Sequence, residues 1–292
     1  MPQDIRDKPA IRHEDVVGLN FIRTEAPFVF RRHFRHGLRS HIMEILKSAD
    51  VEAENAGIVV AGNRRFPRAR PTHMLRIFRT RLQTLESALA EIERVKAVTA
   101  YLGSDFIARS SEFLVDYHGP EGTAIMLCGF QRYIEGEMLD PWSLLEGARL
   151  LPSLYTSLYA PSERSDDHRR AWIEATRLEG ARFIEAVKRM IAEVGHIPDL
   201  AGAGNLLVTK AGRVKLVDIN NITPVVFDDL IHLDDKGYPV CDKSIEALSL
   251  MEQKVIGRPA DTGEALYRFF LDPERRRQVR RQEEAFYRGD VF

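Results

Sequence analysis

The spacing of apolar positions divides the chain into a strand-rich first part and a mainly helical second part. Residues 16–30 (VVGLNFIRTEAPFVF) are apolar enough for a short strand or a buried entry segment. Over 37–49, Leu38, Ile42, Ile45 and Leu46 form one stripe at helical spacing, which predicts a helix. Gly57–Ala61 is a short β-branched run ending at the turn pair Gly62-Asn63, and His73–Phe78 (HMLRIF) has the composition of a strand. From Leu82 to Leu102, apolar residues recur at helical spacing with charges on the other face, and Gly103 marks the end. Phe106–Tyr117 and Thr123–Tyr133 then predict a hairpin joined through His118–Gly122.

Gly136 and Asp140-Pro141 interrupt this pattern, and the lobe boundary is expected there, with a small lobe and N-terminal extension over 1–137 and a large lobe over 138–292. From Trp142 the pattern is helical. Its longest run, Asp167–Val194, stops at Gly195 with Pro198 beyond. Two short apolar strands follow, Asn205–Thr209 and Val214–Ile219, joined by the turn Lys210-Ala211-Gly212-Arg213. The last 70 residues predict a helix near 243–255, a turn around 257–263 and a charged terminal helix. The fold class read from this order is α+β.

Composition narrows the class only slightly. No apolar run approaches the roughly 20 residues that cross a bilayer, and the polar start of the chain lacks a secretory signal. The two cysteines, Cys128 and Cys241, are far apart and without metal-ligand spacing, so a reducing cytoplasm is the expected setting. Charge is unevenly spread: residues 1–81 hold 16 Lys/Arg against 9 Asp/Glu, most of the excess in Arg31, Arg32, Arg35, Arg39 and then Arg64, Arg65, Arg68, Arg70, Arg76, Arg79, Arg81. Such clusters suit either a solvated face or phosphate contacts. Sparse interleaved aromatics and a near-neutral total argue against nucleic acid as partner.

The chemistry is concentrated in residues 196–221, HIPDLAGAGNLLVTKAGRVKLVDINN. A loop after the long helix carries Asp199, the hairpin begins at Asn205, and its second strand delivers Asp218 into a turn. Carboxylate and amide oxygens arriving from loop ends suit Mg²⁺, a hard cation usually held by one or two carboxylates plus substrate phosphates. Asp199 leaves its loop earlier, where it could serve as a base toward a substrate hydroxyl. Asp and Asn also brace turns for purely local reasons, so a structural role stands beside the chemical one. The acidic Asp218 is poorly suited to the strand end it occupies, which favours function there.

Asp199, Asn205 and Asp218 resemble, in order and setting, the catalytic-loop Asp, catalytic-loop Asn and metal-binding Asp of the protein-kinase-like superfamily, which includes small-molecule phosphotransferases similar to aminoglycoside and choline kinases. The resemblance implies a two-lobed kinase-like fold, with ATP and Mg²⁺ as cofactors and a nucleotide plus a phosphoryl acceptor as partners. It makes Asp199 the catalytic base, and Asn205 and Asp218 the metal ligands. Strand HMLRIF, a helix, two strands and then QRYIEGEML are similar to the small lobe and its hinge. On that alignment Arg76 takes the place of the phosphate-binding lysine, Glu91 or Glu93 that of its helix partner, and Arg132, Tyr133 and Ile134 belong to the adenine-binding hinge. Cys241-Asp242-Lys243-Ser244 resembles the start of the large-lobe helix whose buried Asp braces the catalytic loop.

The pattern departs from that family in several places: His196 lies three residues before Asp199, displaced by one from the family's His-x-Asp, and Asp218-Ile219-Asn220 replaces Asp-Phe-Gly. Asn205 lies six residues after Asp199 where the kinase pattern has five, Arg76 is not lysine, and no Gly-x-Gly-x-x-Gly loop occurs. A pseudokinase-like nucleotide-binding or scaffolding module is therefore the first alternative. An ATP-grasp-type ligase is the second, since Lys215–Asn220 resembles that fold's metal-binding strand. His196 is read as structural. Pro152–Asp167 is the one segment expected to face an acceptor, with Tyr155 and Tyr159 available to stack on it or to join the core.

Overall fold

A computed structural model describes residues 3–23, 27–34, 39–145 and 147–289. The chain is α+β and divides into two compact units, the first formed by residues up to Glu93 with Ala108–Tyr133, the second by Arg94–Ile107 with Ile134 onward.

The first unit contains α1 (His13–Val17), β1 (Phe28–Arg32), β2 (Ser40–Lys47), α2 (Ser48–Ala56), the small hairpin of β3 (Ile58–Val60) and β4 (Asn63–Arg65), β5 (His73–Phe78), the start of α3 (Leu85–Phe106), β6 (Ser110–Gly119) and β7 (Gly122–Arg132). Five strands make one antiparallel sheet in the order β1-β2-β5-β7-β6. Residues directly opposite in such a ladder share a face. The register therefore puts Phe30, Met43, Ile45, Leu75, Ile77, Met126, Cys128 and Tyr117 on one side, where Ile5, Ile11, Val16 and Leu19 of the N-terminal segment complete a core. The opposite side is mixed, with the buried Leu46, Met74, Phe78 and Leu127 beside polar groups. It carries Arg31, Glu44, Arg76, Gln131 and Glu112, with Arg31 Nε donating to Glu44 Oε2 (2.9 Å) and Arg76 Nη2 to Gln131 Oε1 (3.2 Å).

The helix expected over 37–49 is instead strand β2 across residues 40–47 (Leu38, like Arg35, lies outside the described residues). The strand runs between β1 and β5, and both its faces are mostly buried. Period-two alternation is then lost, and Ile42, Ile45 and Leu46 fall at helical spacing by coincidence. The two long hairpin strands form with a tighter connection than expected, through Pro120-Glu121.

The second unit contains the rest of α3, then β8 (Glu137–Met138), α4 (Gly147–Leu158), α5 (Asp166–Val194), β9 (His196–Pro198), β10 (Leu206–Val208), β11 (Val214–Leu216), β12 (Ile222–Pro224), α6 (Val240–Met251), α7 (Ala265–Phe270) and α8 (Pro273–Arg288). Val95, Val98, Leu102 and Phe106 of α3 are buried in this unit's core, which is why the helix does not belong wholly to the first unit. Ser165 caps α5 by accepting from the His168 N–H, and Gly195 closes it in the left-handed conformation, φ +65°.

Of the segment expected to face an acceptor, Leu154 and Tyr155 are buried, whereas residues 160–167 are exposed. Tyr155 is 1 % exposed, with its ring against Tyr159 and Trp172 and its hydroxyl 2.9 Å from His168 Nδ1. A tyrosine pair at helical spacing here is core packing. Among the described residues no helix is long and apolar enough to cross a membrane.

Candidate functional site

Two loops of the second unit meet because two short sheets force them together. β9 pairs antiparallel with β12, Pro198 opposite Ile222, while β10 and β11 form the predicted hairpin. The loop from β9 to β10 carries Asp199 and Asn205, and the loop from β11 to β12 carries Asp218, Asn220 and Asn221.

The Asp199 N–H donates to Asn221 O (2.8 Å), continuing the β9–β12 ladder, and the Val217 N–H donates to Asn205 O (2.8 Å). Asp199 Oδ1 accepts from the backbone N–H groups of Ala201 (2.9 Å) and Gly202 (3.0 Å), while Oδ2 accepts from Asn221 Nδ2 (3.1 Å). The Asn205 side chain donates from Nδ2 to Asp199 O (2.9 Å), which settles which end of its amide is oxygen. Gly202 is required by close approach, since a Cβ there would lie 2.4 Å from Asn205 Nδ2. Gly136, in the segment after β7, is needed for the same reason, because a Cβ would meet Val208 O at 2.6 Å.

Electrostatics set Asp199 apart. Burial, and then the negative charge of Asp218, push its carboxyl above the usual carboxylate range against the lowering effect of its three donors. The phenol of Tyr238 lies within the field of Asp199 and is itself raised, mainly by burial, with its hydroxyl donating to Glu283 (2.8 Å). The loop is braced from α6 by Ser244, whose Oγ accepts the Leu200 N–H at 3.1 Å. Asp242, the residue that resemblance pointed to as the brace, is 3 % exposed and pairs with Arg275 of α8.

Asn221 and Tyr238 were not singled out from the sequence, and Ser244 entered only as the end of the Cys241–Ser244 helix start. Only Asn221 left a signal, as a second amide three residues beyond Asp218. His196 has the structural role expected, with Nδ1 2.7 Å from Val194 O. Among the described residues no three His, Cys, Asp or Glu side chains gather to hold a metal. The two loops carry the carboxylates of Asp199 and Asp218 and the amides of Asn205, Asn220 and Asn221.

The remaining predicted site residues belong to the first unit, except Ile134, which opens the second. Arg76 is buried in β5 on the mixed sheet face, and Glu91 is half-buried on α3. Arg132 is opposite His73, so its side chain stands on the other face from Arg76. The Tyr133 N–H donates to Thr72 O (3.1 Å).

No protein-family model matches this chain, and no curated protein matches it.

The packing of Gly202 has a direct consequence. A Gly202→Ala variant is expected to fold but to push the Asn205 amide off Asp199 O. Loss of one such hydrogen bond costs about 1–3 kcal/mol where the donor stays buried. Thermal melting should record that loss, and an unchanged melting temperature would mean that the loop absorbs the methyl group freely.

Proposed function

We propose that the chain is an ATP-dependent phosphotransferase of protein-kinase-like type, two-lobed, acting on a hydroxyl of a small-molecule or polymer acceptor. The observation that carries this reading is the meeting of the two loops, which sets Asp199 in the field of Asp218 with the Asn205 side chain bonded to the Asp199 carbonyl. A carboxyl whose proton affinity is raised by burial and by a neighbouring charge is better suited than an ordinary aspartate to take a proton. The order of elements supports the same reading: strand β5, helix α3, strands β6 and β7, then a long helix, a loop, a hairpin and an acidic turn.

In this proposal Asn205 and Asp218 hold Mg²⁺, which when bound with ATP neutralises charge on the phosphate oxygens. Asp199 orients the acceptor hydroxyl and takes its proton, held in one rotamer by Ala201, Gly202 and Asn221. Arg76 grips phosphate from the mixed face of the sheet, with Glu91 as its helix partner, and backbone groups near Tyr133 and Ile134 receive the adenine. A cytoplasmic setting fits the two free, buried cysteines.

The six-residue interval from Asp199 to Asn205 and the arginine at the lysine position favour one second reading, a pseudokinase-like module that binds nucleotide without transfer. Calorimetric titration with Mg-ATP tests both. The full chain should bind, and Asp218→Asn should weaken binding by about tenfold or more, one charge-assisted contact's worth. Absence of binding by the wild type would overturn both readings. Binding with no turnover across a panel of hydroxyl acceptors would favour the module.

A further inference from the structure

We propose that the first unit carries a second ligand site, on the sheet face opposite Arg76, that takes a phosphate monoester attached to a flat ring. The site is a cavity of about 720 Å³ between the start of β5, the start of β6 and the end of β7. That volume is within the range of small-molecule sites, about 300–1,000 Å³.

The ladder explains what lines it. Ser110 is opposite Gln131 and the Arg132 N–H donates to Arg109 O (2.9 Å), so Arg109, just before β6, stands across from Arg132 at the end of β7. Ser111 is opposite Phe130, and His73 is opposite Arg132. All five side chains therefore project from one face, the one that further along the sheet is covered by the N-terminal segment. Arg76, Gln131 and Glu112 project from the other.

Like charges directly opposite in a ladder are destabilising. Among the described residues neither Arg109 nor Arg132 has a side-chain hydrogen bond or ion pair, and no carboxylate lines the cavity. The nearest acid along β6 is Glu112, which accepts from Ser110 Oγ at 3.3 Å. Burial and the nearby Arg132 hold His73 below the usual histidine range, so at neutral pH the lining carries two positive charges from its arginines. A phosphate monoester carries about −1.5 to −2 at pH 7 and matches that pair. The apolar part of the ligand is indicated by Phe130, a large aromatic left 40 % exposed and stacked on His73 with centroids 4.5 Å apart and planes 20° apart. The pair offers a flat wall beside the two guanidinium groups.

Phenyl phosphate is the probe, titrated into the full chain and followed by calorimetry. Saturable binding tighter than about 1 mM is expected, weaker for phenol and for inorganic phosphate alone. Arg109→Ala and Arg132→Ala, both at exposed positions, should each weaken it by about tenfold or more with unchanged melting temperature. Asp218→Asn, which removes the proposed metal ligand of the nucleotide site, should leave it unchanged. The proposal is overturned if phenyl phosphate does not bind, or if Arg132→Ala binds it as tightly as the wild type. It also fails if Asp218→Asn abolishes binding, or if benzoate binds more tightly than phenyl phosphate, which would make the ligand a carboxylate.

Discussion

Replacing Asp199 with asparagine should raise the melting temperature at pH 7 and, under the proposed phosphotransferase reading, lower ATP turnover by about 10²–10⁴-fold, the usual contribution of a positioned general base. The two effects have one origin. Asp199 is held above the ordinary carboxylate range by burial and by Asp218, so the folded state disfavours its charged form. A carboxyl raised in this way favours folding while it is protonated, and that contribution is lost as pH rises through its folded value. Above the ordinary aspartate range the wild type therefore bears the cost of burying this carboxyl, and the asparagine variant does not.

The substitution preserves shape. The introduced amide keeps an oxygen to accept from the Ala201 and Gly202 N–H groups, and the Asn221 amide can turn to receive its new donor. Each 1 kcal/mol of relief raises the midpoint by about 2–4 °C in a chain of this size. The difference from wild type should close as pH falls toward about 4, where an ordinary aspartate is also protonated. Melting curves at several pH values, paired with turnover at pH 7, test both halves. A variant less stable than the wild type at pH 7 would show that the three hydrogen bonds to the carboxylate outweigh its desolvation. Turnover unchanged in the variant would remove Asp199 as the base.

Replacing Arg275 with methionine should destabilise the second unit by about 3–5 kcal/mol, the cost of leaving a buried ion without its partner. Asp242 is 3 % exposed and Arg275 7 % exposed, joined by Nε to Oδ1 (2.6 Å) and Nη2 to Oδ2 (3.2 Å). The remaining guanidinium hydrogens donate to Asp228 O (2.7 Å) and Leu230 O (3.2 Å), and the group lies 4.8 Å from the ring centroids of Phe269 and Phe270. One side chain thus ties α8 to α6, to the segment before α6 and to α7. Its loss leaves a buried carboxylate and two part-buried carbonyl oxygens without this partner.

Burial already raises the Asp242 carboxyl despite its partner. Without Arg275 the carboxyl is free to protonate on acidification, so the deficit should shrink as pH falls. An Asp242→Leu/Arg275→Met double variant should regain most of the stability, since two apolar groups of similar size replace the pair without stranding a charge. Urea unfolding of the three proteins tests this. A loss below about 1 kcal/mol in Arg275→Met would put the pair among exposed ion pairs in energetic terms.

Much of the fold was legible along the chain because the forces involved are local. The long helix α5 has a serine cap, an apolar stripe and a left-handed glycine within its own span, and the β10–β11 hairpin has two apolar runs and a glycine turn. The concentration of Asp, Asn and Gly between residues 199 and 221 marked the loops for the same reason: those residue types satisfy backbone groups nearby. That Asp199 and Asp218 share one field needed the β9–β12 pairing, which joins residues about twenty positions apart.

Tertiary structure alone decided the rest. β2 is a strand because β1 and β5 flank it, and burial of both faces erased the alternation that would have marked it. Of the arginines in α8, only Arg275 is buried, chosen by the position of Asp242 rather than by anything in its neighbours. Arg76 and Arg132 read alike as strand arginines, yet the register sends them to opposite faces of one sheet, one toward Gln131 and the other into a cavity with Arg109. By itself the sequence determined most of the helices and hairpins, though not strand β2, and where polar loop chemistry gathers, because those follow from period and turn. Which side chains meet across the sheet and between helices depended on long-range pairing, whose partners carry no mark of one another in the linear order.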